Sequence, residues 1–84
     1  MALSHFDIFL LEATVPDETH GPLGPDCLYG LYTSWCLLHK IKPVADIVFR
    51  SAMEHRGINL KSAHRRMAGP AATDYILQSY PALG

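Results

Sequence analysis

Two cysteines in 84 residues are too few for a disulfide framework, and no Cys-x-x-Cys or His-x-x-x-His pair offers the spacing of a closed zinc site. Cys36 and His39 stand three apart, and Cys27, His20, His55 and His64 supply further donors without a ligand pattern. No uninterrupted apolar run approaches the ~20 residues needed to span a bilayer, and no charged, apolar, small-residue signal opens the chain. The expectation is a soluble, cytoplasmic protein with free thiols. Gly21-Pro22-Leu23-Gly24-Pro25 lacks the lysine and the strand-to-helix setting of a nucleotide loop. The acids are scattered, and thiols on an aromatic helix behave as small buried hydrophobes. No catalytic residue, metal, cofactor or small-molecule substrate is therefore expected.

Charge is scarce as well as segregated. All seven Lys and Arg lie between Lys40 and Arg66, against only Asp46 and Glu54, so that segment carries +5 within a chain of net charge −1. Residues 1–26 hold five acids and no Lys or Arg, and residues 67–84 hold only Asp74. A concentrated basic segment is the footprint of a protein that meets phosphate, or of one that meets an acidic arm. Apolar residues make up 49% of the chain. One domain of this length sits near the lower limit for a self-sufficient core, which makes self-association the expected support.

Residues 1–25 read as an amino-terminal apolar arm followed by a Pro/Gly linker, and residues 26–84 as the folded domain. Residues 4–14 fit a helix with Ser4 and Asp7 at its start, although Phe6-Asp7-Ile8-Phe9-Leu10 also fits a short strand. As a helix it places Phe6, Phe9, Leu10 and Ala13 on one stripe and Ile8 and Leu11 on the opposite face. Pro16 to Pro25 is a connector, and Pro25 suits the first turn of the next helix. That helix, 26–39, aligns Leu28, Leu31, Tyr32, Trp35 and His39, with Tyr29 and Leu37 pointing elsewhere. Lys40-Ile41-Lys42-Pro43 breaks the pattern. A helix over 44–56 follows, with Ala45, Val48, Phe49, Ala52 and Met53 inward and Gly57 as a left-handed stop. Residues 58–68 form a basic hairpin or an irregular loop. A last helix over 70–79 turns Ala72, Tyr75, Ile76 and Tyr80 inward.

Helix, basic turn, helix, basic hairpin or loop, helix is the order of a winged helix-turn-helix. The fold class expected is thus mainly α, with a short β-hairpin as the wing. The pattern Leu28-Tyr29-x-x-Tyr32-x-x-Trp35-Cys36, Lys42-Pro43 and Phe49-x-x-Ala52-Met53-x-x-x-Gly57-Ile58 resembles the carboxy-terminal winged-helix segment of phage and plasmid primase-helicases. In this chain Val44-Ala45 replaces the Ser or Thr that opens the second helix of that group, and Asn59 to Met67 replaces its glycine-rich wing. The resemblance implies a nucleic-acid-docking or assembly module without catalysis.

Two surfaces follow from this reading. For double-stranded DNA, Arg50 and Ser51 on the outer face of helix 44–56 would reach base edges, and Lys40, Lys42, Lys61, Arg65 and Arg66 would meet phosphates. Glu54 and Ile47 share that outer face and oppose phosphate contact. For association into a homodimer, the unmatched apolar residues Ile8, Leu11, Tyr29 and Leu37 would carry the interface, because large exposed apolar groups on a short chain seek a partner.

Overall fold

A computed structural model describes residues 4–19, 25–58 and 64–79. Along the chain come α1 (His5–Ala13), β1 (Thr14–Pro16), α2 (Pro25–Leu38), α3 (Asp46–His55), β2 (Arg65–Met67) and α4 (Gly69–Ser79). The protein is a small, mainly helical fold with one two-stranded antiparallel sheet. The alternative of a strand at Phe6–Leu10 loses to a helix because its start is locally capped. The Asp7 carboxylate accepts from the Ser4 backbone N–H (3.2 Å) and hydroxyl (3.0 Å).

The expected arm is part of the core. Phe9 of α1 is fully buried with Tyr32 of α2 and Phe49 of α3; the ring centroids lie 5.5 Å, 6.0 Å and 4.6 Å apart. Edge-on and tilted rings at these distances gain about 0.5–1.5 kcal/mol per pair beyond the area they bury. Leu31, Cys36 and Met53 complete the fully buried set. An amino-terminal helix carrying an apolar stripe has no cheaper place to put it.

The carboxy-terminal ends of α2 and α3 close in the same way. After α2, the Ile41 N–H donates to Cys36 O (2.8 Å) and the Lys40 N–H to Leu37 O (3.2 Å), with Lys40 at φ +56°. After α3, the Ile58 N–H donates to Met53 O (3.0 Å) and the Gly57 N–H to Glu54 O (3.0 Å), with Gly57 at φ +74°. These paired bonds are Schellman closures, and each carries the usual apolar contact, since Ile41 and Ile58 both pack on the core. Gly57 acts as the sequence indicates; Lys40 occupies a position that suits glycine better.

Several expectations are corrected. Of the stretch 58–68, expected as a basic hairpin or an irregular loop, Arg65–Met67 form β2, which pairs with β1 in the register Thr14↔Met67, Val15↔Arg66 and Pro16↔Arg65, while 59–63 lie outside the described residues. The residues expected to begin a linker are therefore a strand, because the segment leaving α1 and the segment entering α4 lie side by side and satisfy each other's backbone groups. The rest of the linker, 20–24, is outside the described residues, as is Tyr80. On α3, Ala45 is the exposed N-cap and Val48 is 49% exposed, because the helix rotates to centre on Phe49 and Met53. On α4, Ala71 joins Ala72 in the buried set and Ile76 turns outward, since Gly69 starts the helix one residue early. Tyr75 packs across α2 at Gly30, its ring edge standing where a Cβ would be.

Gly69 is held at φ +75° with the Glu12 carbonyl oxygen 2.7 Å from the place of a Cβ, while Lys40 pays for the same backbone region without a contact that requires it. Gly69→Ala is expected to lower stability by about 2 kcal/mol or more, and Lys40→Gly to raise it by about 0.5–1 kcal/mol, in urea unfolding. Equal shifts of the same sign in the two variants would contradict this account.

Candidate functional site

Three of the four arginines meet carboxylates of their own chain. Arg50 pairs with Asp46 one turn back on α3 (2.9 Å), and Arg66 with Asp17 just beyond β1 (3.4 Å). Arg56 binds Asp7 of α1 (2.8 Å), donates to Ser4 Oγ and to Ala52 O (2.9 Å), and lies 5.1 Å from the centre of the Phe6 ring. The Arg56 guanidinium, helped by Ser4, holds the Asp7 carboxyl below its ordinary pKa. Arg65 is half-buried, donates Nε–H to Thr14 Oγ1 (2.9 Å), and has its pKa drawn down by loss of solvent.

Of the expected phosphate contacts, Lys40 and Lys42 are exposed in the α2–α3 connection with no carboxylate partner among the described residues, and Ser51 is exposed on α3. Lys61 lies outside the described residues. Strand pairing explains the loss of Arg65 as a contact: alternate β2 side chains face inward, and Arg65 is on that side. The acidic first third of the sequence supplies Asp7 and Asp17 to the basic middle.

The expected association residues divide. Leu11 (74%) and Leu37 (66%) are exposed as the sequence indicates. Tyr29 is not: its ring lies 5.4 Å from Phe49 and its hydroxyl donates to Val44 O (2.7 Å), because the α2–α3 connection folds back over that side of α2. Ile8 is half-buried against the core.

Two open grooves remain. One, of about 460 Å³, runs between the end of α2 and the start of α4, where Leu38, Pro70 and Ala71 meet Trp35. Its rim holds a polar cluster: Glu12 Oε1 accepts from Trp35 Nε1–H (2.9 Å) and lies 3.2 Å from His39 Nε2, while the His39 ring stacks on Trp35 at 4.5 Å. The other, of about 570 Å³, lies between the first turn of α1 and α3 and is lined by Phe6, Ile47, Val48, Ala52 and polar neighbours including Ser51 and His55. Ile47 is 77% exposed at its edge.

No protein-family model matches the chain, and comparison with curated proteins and with solved structures finds no match. The residues that carry the resemblance to primase-helicase segments can thus be weighed only by where they lie. Leu28, Tyr32, Trp35, Cys36, Phe49 and Met53 are buried and describe packing, while Lys42, Pro43 and Gly57 of the same pattern are exposed.

Burial pushes the Cys36 thiol above its ordinary pKa, the opposite of what a nucleophile requires. Among the described residues, no group of three or more His, Cys, Asp and Glu side chains gathers to hold a metal ion. The groove lined by Ile47 and Val48 was not evident from the sequence, although the apolar Ile47 on an otherwise polar outer face was its signal.

Loss of solvent is the main reason the Tyr32 hydroxyl titrates at about 12 instead of 10.0. The unfolded chain sheds this proton first, so the stability it confers is complete below pH 10 and declines as pH rises from 10 through about 12. Wild type is expected to show that alkaline decline in its urea midpoint. Tyr32→Phe should start from a lower midpoint, having lost its hydrogen bonds, and decline less over the same range. Parallel pH profiles for the two proteins would refute the assignment.

Proposed function

We propose that the protein is a small, non-catalytic interaction module that associates with a second copy of itself. The observation that carries this reading is the number of large aliphatic side chains left in solvent. Among the described residues these are Leu11, Leu37, Leu38, Ile47, Val48, Ile76 and Leu77, all 45–77% exposed. Single exposed leucines are ordinary, but this many on one small chain, some of them flanking apolar grooves, is the surface of a protein whose burial is completed by a partner.

Nucleic-acid docking is supported less well. Its affinity rests on cations free to displace the counterions of phosphate. Here Arg50, Arg56 and Arg66 already face carboxylates of the same chain, and a duplex would have to compete with Asp46, Asp7 and Asp17 for them. Among the described residues this leaves Lys40 and Lys42, a small electrostatic footprint.

Light scattering across a dilution series is expected to give a mass twice the chain's 9.3 kDa, moving toward 9.3 kDa on dilution. A mass of 9.3 kDa at every concentration would overturn self-association. In parallel, no shift of duplex DNA is expected at low micromolar protein; a shift that weakens steeply with salt would favour the nucleic-acid reading instead.

A further inference from the structure

We propose that the outer face of α3 is the surface through which two copies pair, with the two α3 helices antiparallel about a two-fold axis level with Ala52. The inference rests on the self-association just argued and specifies where it occurs. It follows from which residues share the helix face turned away from Phe49 and Met53. Ile47, Ser51 and Glu54 lie along its middle at i, i+4 and i+7, with Arg50 on one edge and Val48 and His55 on the other. All of these but the half-buried Arg50 are exposed.

A homodimer contact is isologous, so this face must complement itself. In a parallel pairing Arg50 would oppose Arg50 and Glu54 would oppose Glu54. In the antiparallel pairing with its axis at the level of Ala52, Arg50 and Glu54, each two residues from the axis, fall at the same height on facing helices. Two reciprocal ion pairs result on one edge. Arg50 need not leave Asp46 to make them, because a guanidinium has five donors and can bridge both carboxylates.

The small Ser51 lies at the crossing point, where a short side chain permits close approach of the two helices. Opposed helix dipoles favour the same direction. Along the middle of the face, the protruding Ile47 of each copy reaches the far end of its partner's α3, next to the edge where Phe6, Ala52 and His55 line a groove. Knob and groove thus come from the same surface, which a two-fold contact requires.

The test uses two charge reversals and their mixture. R50E places Glu against Glu54 of the second copy, and E54R places Arg against Arg50; each variant alone is expected to weaken the dimer about tenfold or more in Kd by sedimentation velocity. Mixed in equal amounts, they set the one acidic edge of R50E against the one basic edge of E54R, and a heterodimer within about threefold of the wild-type Kd is expected. Because R50E also faces Asp46 within its own helix, circular dichroism of each variant accompanies the measurement. I47Q, at a side chain that makes little contact within its own chain, is expected to weaken the dimer with no change in folding.

Wild type that dimerises while all three variants dimerise equally well would overturn the α3 face and leave self-association standing. Weakened single variants whose mixture stays monomeric would overturn the antiparallel register. A wild type that is monomeric at every concentration would instead defeat the reading on which the inference rests.

Discussion

The fold depends on burying Tyr32 without stranding its hydroxyl. The ring is fully enclosed between Phe9 of α1 and Phe49 of α3, so three helices share one contact. A buried hydroxyl without partners costs a few kcal/mol, and here it has two: the Val44 N–H donates to it at 3.1 Å and His5 Nε2 lies 2.9 Å away. Both partners come from segments outside α2. The polar atom therefore dictates where α1 must begin and where the chain must run between α2 and α3. Tyr29, one turn earlier, holds the same residue from the other side by donating to Val44 O, so a connection with no regular structure is fixed at both of its backbone groups.

A second constraint governs the far side. Ala68 N–H donates to Ala13 O at 2.8 Å, and Gly69 lies so close to Glu12 that a side chain would strike its carbonyl oxygen. The β1–β2 pair is the extension of this contact by three residues on each strand. A two-stranded ribbon this short is not stable alone. It persists because α1 and α4 are already anchored on α2, one through Phe9 and the other through Ala71, Ala72 and Tyr75. Packing positions the strands, and the strands then close the gap between the helices.

This order of dependence explains which features could be read from the residues. The four helices were legible because their signals are local: Ser4 with Asp7, Pro25 at a first turn, Pro43 as a break, Gly57 as a stop. So were Phe9, Tyr32, Trp35, Phe49 and Met53 as inward residues, since 3.6-residue periodicity marks them. The sheet was not legible, because β1 and β2 are three residues long and their pairing crosses some fifty positions of sequence; neither has an alternating pattern long enough to identify it. A basic stretch after two helices reads as a hairpin or as a loop, and the strand that its last residues form is set by packing against a distant segment. Tyr29 was misread for a related reason. Periodicity reports the faces of one helix and is silent about a connection that folds back over it.

The same distinction separates charge in sequence from charge in space. An acidic first third and a basic middle suggest a molecule with a positive pole, but the two regions are neighbours in the fold. Asp7 meets Arg56 across the α1–α3 boundary and Asp17 meets Arg66 at the end of the sheet. Each pairing is partly exposed and adds little by itself. Their combined effect is to neutralise part of the positive segment inside the subunit, while large aliphatic groups such as Leu11 and Ile47 stay exposed. Arg50 differs from Arg56 and Arg66 in one respect: Asp46 lies on its own helix, so that ion pair joins no two elements of the fold. The Arg50–Asp46 pair therefore does nothing to fix α3 against α1 and α2, which is left to Phe49, Met53 and the Arg56–Asp7 bridge.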